Sequence, residues 1–135
     1  MPLPEKNNLA IVTSALPYAN GHLHIGHLLE HVQTDIWVRL LRANNIACYY
    51  VCASDAHGTP IMLRAKELKT EPEKMVEEFR SSHIKDLESF NISHDNFYTT
   101  HSEENKYFSE LIYKKAKETG FIESKQIEQL FDESV

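Results

Sequence analysis

Long apolar runs are missing from this chain, and none approaches the length needed to cross a bilayer. There is no internal repeat, no low-complexity tract and no linker. The opening residues, Met1-Pro2-Leu3-Pro4-Glu5-Lys6, lack the basic-then-apolar order of a secretory signal, so a cytoplasmic address and no membrane partner are expected. Cysteine is limited to Cys48 and Cys52. Four residues of strand would separate them by about 13 Å, whereas a disulfide needs Cα atoms within about 7 Å. Reduced, buried thiols that bind no metal are therefore expected, two cysteines being too few ligands. A basic surplus is missing too: 14 Lys and Arg stand against 20 Asp and Glu, a net charge of −6. That argues against a stand-alone nucleic-acid binder, which needs clustered cations to neutralise phosphate.

The 135 residues suffice for one domain with a real core, and the 41% hydrophobic fraction is ordinary for a globular chain. The acidic surplus lies wholly in residues 66–135, whereas five of the eight histidines (22, 24, 27, 31 and 57) lie before them. Glycine (4) and proline (5) are scarce, so each marks a turn or a helix end. Residues 9–13 form an apolar run suited to a buried strand, broken by Pro17-Tyr18-Ala19-Asn20-Gly21. A helix follows, with Leu28, Leu29, Val32, Ile36, Trp37, Leu40 and Leu41 at helical spacing, ending near Asn44-Asn45. Residues 46–52 read as the second strand. Strand, turn, helix and strand make a βαβ unit of a parallel sheet. Downstream, Thr59-Pro60 reads as an N-cap with proline at the first helical position. Thr70-Glu71-Pro72-Glu73 reads as a reciprocal capping box. A further helix runs from Ser102 to a cap at Gly120, with residues 97–99 and 121–123 as short strand candidates. The expected fold is a doubly wound parallel α/β sheet of the Rossmann-like, nucleotide-binding kind.

The segment with chemistry is His24-Ile25-Gly26-His27, where the first turn delivers the chain into a helix. A helix start offers unpaired N–H groups and the positive dipole end, and ligands of open α/β sheets sit beyond the carboxyl ends of strands. Two imidazoles three residues apart share one helix face and can donate to one polyphosphate. Gly26 between them removes the side chain that would hold a flat base off the backbone. The set reads as an ATP cradle without a P-loop lysine. A rival pattern overlaps it: His27-Leu28-Leu29-Glu30-His31 spells the H-x-x-E-H signature of a zinc metallopeptidase, with Glu103 or Glu104 as a distant third ligand. That pattern belongs mid-helix and leaves both the turn and His24 unexplained.

Ala15-Leu16-Pro17-Tyr18-Ala19-Asn20-Gly21 followed by His24-Ile25-Gly26-His27 resembles the first signature of class I aminoacyl-tRNA synthetases in its methionyl version. Ser54-Asp55-Ala56-His57-Gly58-Thr59-Pro60-Ile61 is similar to the second landmark of that branch, and Thr59 favours methionine over the leucyl, isoleucyl and valyl relatives. His101-Ser102-Glu103-Glu104-Asn105 also resembles the family, and the likeness runs from about Leu9 to the end.

The resemblance implies the amino-terminal half of a catalytic domain that joins methionine to ATP as methionyl-adenylate, then passes the methionyl group to tRNA(Met). It implies ATP with Mg2+ at the site, with Pro17, Tyr18, Ala19, Asn20, Gly21, His24, Ile25, Gly26 and His27 around the nucleotide. His24 and His27 would steady the phosphates. Ala15, Leu16 and Tyr18 would wall the methionine, and Asp55 would meet its ammonium, against the plainer reading of a turn aspartate bonding its own backbone. His57 would order the loop. The connective insertion with its Zn2+ cysteines, the lysine-rich second signature and the anticodon-binding domain are expected beyond this chain. Alone, the chain is expected to be inactive, with an open sheet edge prone to self-association. A related nucleotidyltransferase and a non-catalytic binding module are the alternatives.

Overall fold

The computed structural model describes residues 9–128. Residues 1–6, read above for a signal, and 130–135, where the resemblance places the entry to an insertion, lie outside them. The chain divides into two compact units, Met1–Ser102 and Glu103–Val135.

The first unit runs β1 (Ala10–Thr13), α1 (Ile25–Ala43), β2 (Cys48–Ser54), α2 (Thr59–Leu68), α3 (Pro72–Ser89) and β3 (Asn96–Thr99). The three strands are parallel, in the order β1-β2-β3, with Ala10 beside Cys48 and Val51 beside Asn96. Because strand order follows chain order and crossovers turn right-handed, successive helices fall on the same face of the sheet. Packing agrees: Tyr50 of β2 is buried against Val38 of α1 and Leu87 of α3, with Val12, Val32 and Phe97 around them. The opposite face stays open, with Ile11 72%, Tyr49 56% and Tyr98 46% exposed. Within these residues the sheet thus has one layer of helices, one side of the expected doubly wound arrangement. A second cluster, Ala19, Ala56, Ile61, Ala65, Met75 and Val76, joins α2 and α3 to the loops at the carboxyl ends of β1 and β2.

Several expected boundaries move for physical reasons. The second strand starts at Cys48, not at residue 46, because Asn45 turns left-handed (φ 56°) and Ile46 N–H closes back on Leu41 O (3.0 Å) to finish α1. The deepest side chains of α1 are His31, Asp35, Val38 and Leu41, while Leu29, Ile36 and Leu40 of the expected apolar face are exposed. Two polar residues hold that face because both are satisfied. Asp35 accepts from Ser93 N (2.8 Å), Ser93 Oγ (2.6 Å) and the Arg39 guanidinium, and His31 Nδ1 bonds Ser14 Oγ (3.1 Å). The Thr59 cap is not formed: the N-cap is Gly58, at φ 114°, with Thr59 already helical. The Thr70 box is not formed either, since the N-cap is Glu71 and no side chain caps it.

The second unit holds α4 (Glu103–Glu118), none of whose side chains is buried. It ends as expected at Gly120 (φ 78°), where Phe121 N–H bonds Ala116 O (2.9 Å). Residues 121–123 are not a strand, and no other strand is described in that unit for them to pair with.

Candidate nucleotide site at the strand exits

The ladder between β1 and β2 continues one rung past the strands. Asp55 N–H donates to Pro17 O (2.9 Å) and Ala19 N–H to Asp55 O (2.8 Å), so the 17–21 turn is a sheet extension and not a loose loop. Ala19 is fully buried beneath it. Tyr18 Oη donates to His57 O (2.7 Å), which ties the first landmark to the second. Gly58 passes so close that a Cβ there would lie 2.9 Å from Tyr18 Oη. The far end is held by His83 of α3, a residue the sequence reading missed. Burial pushes its pKa down, with the Gly21 carbonyl pulling the other way. The neutral ring donates Nε2–H to Gly21 O (2.8 Å), which leaves Nδ1 to accept from Ser54 Oγ (3.2 Å). No spacing rule marks a histidine sixty residues downstream as the anchor of a turn.

His24 and His27 come together, although not as two residues on one helix face. His24 is the N-cap (φ −118°, ψ 172°) and α1 begins at Ile25. Gly26 N–H donates to His24 Nδ1 (3.1 Å) and His24 N–H donates to His27 Nδ1 (3.2 Å), a capping box built from two imidazoles. The rings stack with centroids 3.7 Å apart and planes 20° from parallel. Since both Nδ1 atoms accept, each neutral ring carries its proton on Nε2, so two N–H donors stand side by side at the helix start. Burial lowers the His27 pKa, and His24 beside it lowers it further, which keeps that ring neutral. The first turn of α1 has no acidic residue to offset the positive dipole end. A Cβ on Gly26 would sit 3.0 Å from both Cε1 and Nδ1 of His24, so the missing side chain keeps the His24 ring in place.

Ala15 and Leu16 are exposed at the β1 exit and Pro17 is buried. Both backbone groups of Asp55 serve the bridge to the turn, while its half-buried carboxylate has no hydrogen bond or ion pair among the described residues. The turn-aspartate reading, which needs that carboxylate on its own backbone, is therefore set aside.

Residues 10–135 match the family described as tRNA synthetases class I (M). The chain belongs to that family. Its fold is shared with Mycobacterium tuberculosis methionyl-tRNA synthetase in complex with methionyl-adenylate, at 23% identity and a TM-score of 0.81 over 83% of this chain and 22% of that one. A second structure of the same enzyme bound by methionyl-adenylate gives 23% identity and a TM-score of 0.82, over 84% and 22%. The chain thus spans about a fifth of the length of the structures it matches.

Membership in the class I synthetases leaves the H-x-x-E-H reading without support, and the geometry removes it. His27 Nδ1 is taken by the cap, the Glu30 carboxylate accepts from Ala15 N–H, and His31 is buried on Ser14. The one group of three potential metal ligands that converges among the described residues contains neither His27 nor Glu30. His57 has a partner besides its own loop. Its Nε2 meets His101 Nδ1 at 3.2 Å, and the pair borders a cavity of about 200 Å³ with Ala56, Ile61 and Val76. No described helix is long and apolar enough to cross a membrane.

Proposed function

We propose that this chain supplies one wall of a methionyl-adenylate-forming centre, and that the whole protein charges tRNA(Met) in the cytoplasm. The observation that carries the reading is the paired Nε2–H donors of His24 and His27, fixed by their own helix cap at the carboxyl end of β1. In the reaction a carboxylate oxygen of methionine attacks the α-phosphorus of ATP, the bond to the β-phosphate oxygen breaks, and pyrophosphate leaves. The attacking group is already ionised, so the protein need not take a proton. It must position the partners and receive negative charge. His24 and His27 do this through their Nε2–H donors. Gly26 lets the base and phosphates approach, and Pro17, Tyr18, Ala19, Asn20, Gly21 and Ile25 shape the floor beneath them. Ala15, Leu16 and Tyr18 form the apolar wall for the methionine side chain, and the Asp55 carboxylate receives the α-ammonium. No cluster of carboxylates among the described residues forms an oxygen cage for Mg2+, so any Mg2+ would arrive on the phosphates of ATP.

The test uses His24→Ser with His27→Gln, which rebuilds an ordinary capping box while deleting both imidazoles. In the unsubstituted chain, ATP should shift the backbone amide signals of residues 24–27, and methionine should strengthen the effect. In the double variant the shifts should vanish with the helix intact. Equal shifts in both proteins would place the nucleotide elsewhere, and ATP binding indifferent to methionine would favour another nucleotidyltransferase.

A further inference from the structure

Cys52 is the cysteine that the fold buries, Cys48 being half-buried, and two imidazoles stand beside it, buried His31 and half-buried His94. His31 reaches it from the second turn of α1, and His94 from the connection between α3 and β3. One donor atom from each of His31, Cys52 and His94 lies within 4.8 Å of the others. The three residues come from three separate stretches of chain, so their meeting is a product of the fold and invisible to spacing. Within this group His94 Nε2 is sealed from solvent and has no hydrogen-bond partner among the described residues. A buried polar atom left unpaired is costly and asks for an explanation. Aromatic rings close the site, Tyr50 at 4.2 Å and Phe97 at 5.4 Å from the His94 ring centre.

Two imidazoles and a thiolate suit copper and zinc alike, and a trigonal arrangement of them with a weak further contact to a backbone oxygen is the one that copper takes. The Ser14 and Ala15 carbonyl oxygens stand 3.7 and 3.8 Å from Cys52 Sγ. Burial holds His31 below its ordinary pKa and pushes His94 down to about 4, so both rings are neutral with a lone pair to give. Ser14 Oγ, 3.1 Å from His31 Nδ1, already orients one ring from outside, as supporting residues do around bound metals.

We propose that His31, Cys52 and His94 form a binding site for one thiophilic transition-metal ion, copper by its donor set, separate from the nucleotide site. Metal bonds of about 2.0–2.3 Å set donors roughly 3.4–3.7 Å apart. Loading therefore draws the three inward by about an ångström from the 4.8 Å limit. His94 has freedom for this, since it sits outside any helix or strand and its Nε2 gives up no bond. The thiol loses its proton to solvent as the metal binds. The ion then ties α1, β2 and the approach to β3 into one unit.

The experiment is an anaerobic titration of the whole chain with Cu(I) against a chromophoric Cu(I) chelator, with Co(II) as the spectroscopic stand-in for zinc in a parallel arm. One Cu(I) per chain is expected, and in urea just sufficient for buried Cys52 of the metal-free chain to react, it should slow alkylation of Cys52 while Cys48 reacts as before. Affinity should persist in Cys48→Ser and fall at least tenfold in Cys52→Ala and in His94→Phe, the latter chosen to suit its aromatic surroundings. The alkylation readout needs no variant and stands even if a substitution unfolds the chain. Copper that leaves Cys52 reactive, or that binds Cys52→Ala unchanged, would overturn the site. Cobalt with a thiolate charge-transfer band, taken up in preference to Cu(I), would overturn copper as its metal.

Discussion

Substituting Gly26 with alanine separates what the helix start does for folding from what it does for binding. The new Cβ would lie 3.0 Å from Cε1 and Nδ1 of His24, tighter than most such contacts, so the ring must give by a few tenths of an ångström and its cap bond is strained or lost. Losing an N-cap interaction costs about 0.5–2 kcal/mol. Replacing glycine by alanine in a helix returns about 0.5–1 kcal/mol. The two nearly cancel, and the melting temperature should barely move. Binding has no such offset. A hydrogen bond to a charged group contributes about 1.5–3 kcal/mol, so a misdirected His24 Nε2–H should weaken ATP binding roughly 10- to 150-fold. Calorimetric melting and an ATP titration followed by amide shifts would measure both quantities on the same samples. Unchanged ATP affinity at unchanged stability would refute the argument. A cycle with His24→Ser identifies the cause. If ring displacement is the whole effect, Gly26→Ala changes nothing once the ring is gone; if the glycine also admits the base, the two losses add.

Asp35→Ala should lower stability in urea unfolding by about 1–3 kcal/mol for each buried donor it orphans, Ser93 N–H foremost. Burial alone would raise the Asp35 pKa, but the bonds from Ser93 and Arg39 outweigh it and hold the group below 3.8. Its contribution is therefore present above that value and lost as pH falls through the lower folded one. Gly58→Ala should cost about 1–3 kcal/mol of strain, since φ is 114° and Tyr18 Oη lies in the way. Tyr18→Phe should relieve only the clash and leave the backbone strain in a double variant. His83 titrates in the folded state below its ordinary 6.5, because burial disfavours its charge. The neutral ring should thus support the fold above pH 6.5 and progressively less as pH falls, read as a declining urea midpoint that flattens in His83→Gln.

What could be read in the sequence was what local rules carry. The strand, turn, helix and strand from Leu9 to Cys52 rest on apolar runs and turn residues, and each element appears, as does β3 over its expected aromatic residues. The His24 and His27 pair could be located but not its mechanism, because an imidazole N-cap lies outside the usual Ser, Thr, Asp and Asn rule. Thr59 and Thr70 were ordinary cap candidates, yet a glycine at φ 114° and a glutamate hold those places, since the chain must first pass Tyr18 and leave α2 through left-handed Lys69. Hydrophobic periodicity put Ile36 inside α1, whereas paired Asp35 occupies that face. The second strand runs on to Ser54 because its backbone pairs with β3, Ser54 lying opposite Thr99. Such partners lie tens of residues away and leave no periodic trace.

The 17–21 turn has a consequence for how quickly a ligand can come and go. Its backbone is clamped at Pro17 and Ala19 by Asp55 and at Gly21 by His83, and the Tyr18 hydroxyl is fastened to His57 O. Four of its five residues are thus held, so this turn should behave as a fixed wall and not as a gate. Entry to it should follow simple second-order kinetics with no lag and no saturating slow phase. Any slow isomerisation seen with the whole protein would then have its moving part in a different element, and this turn would be the fixed frame against which that movement is measured.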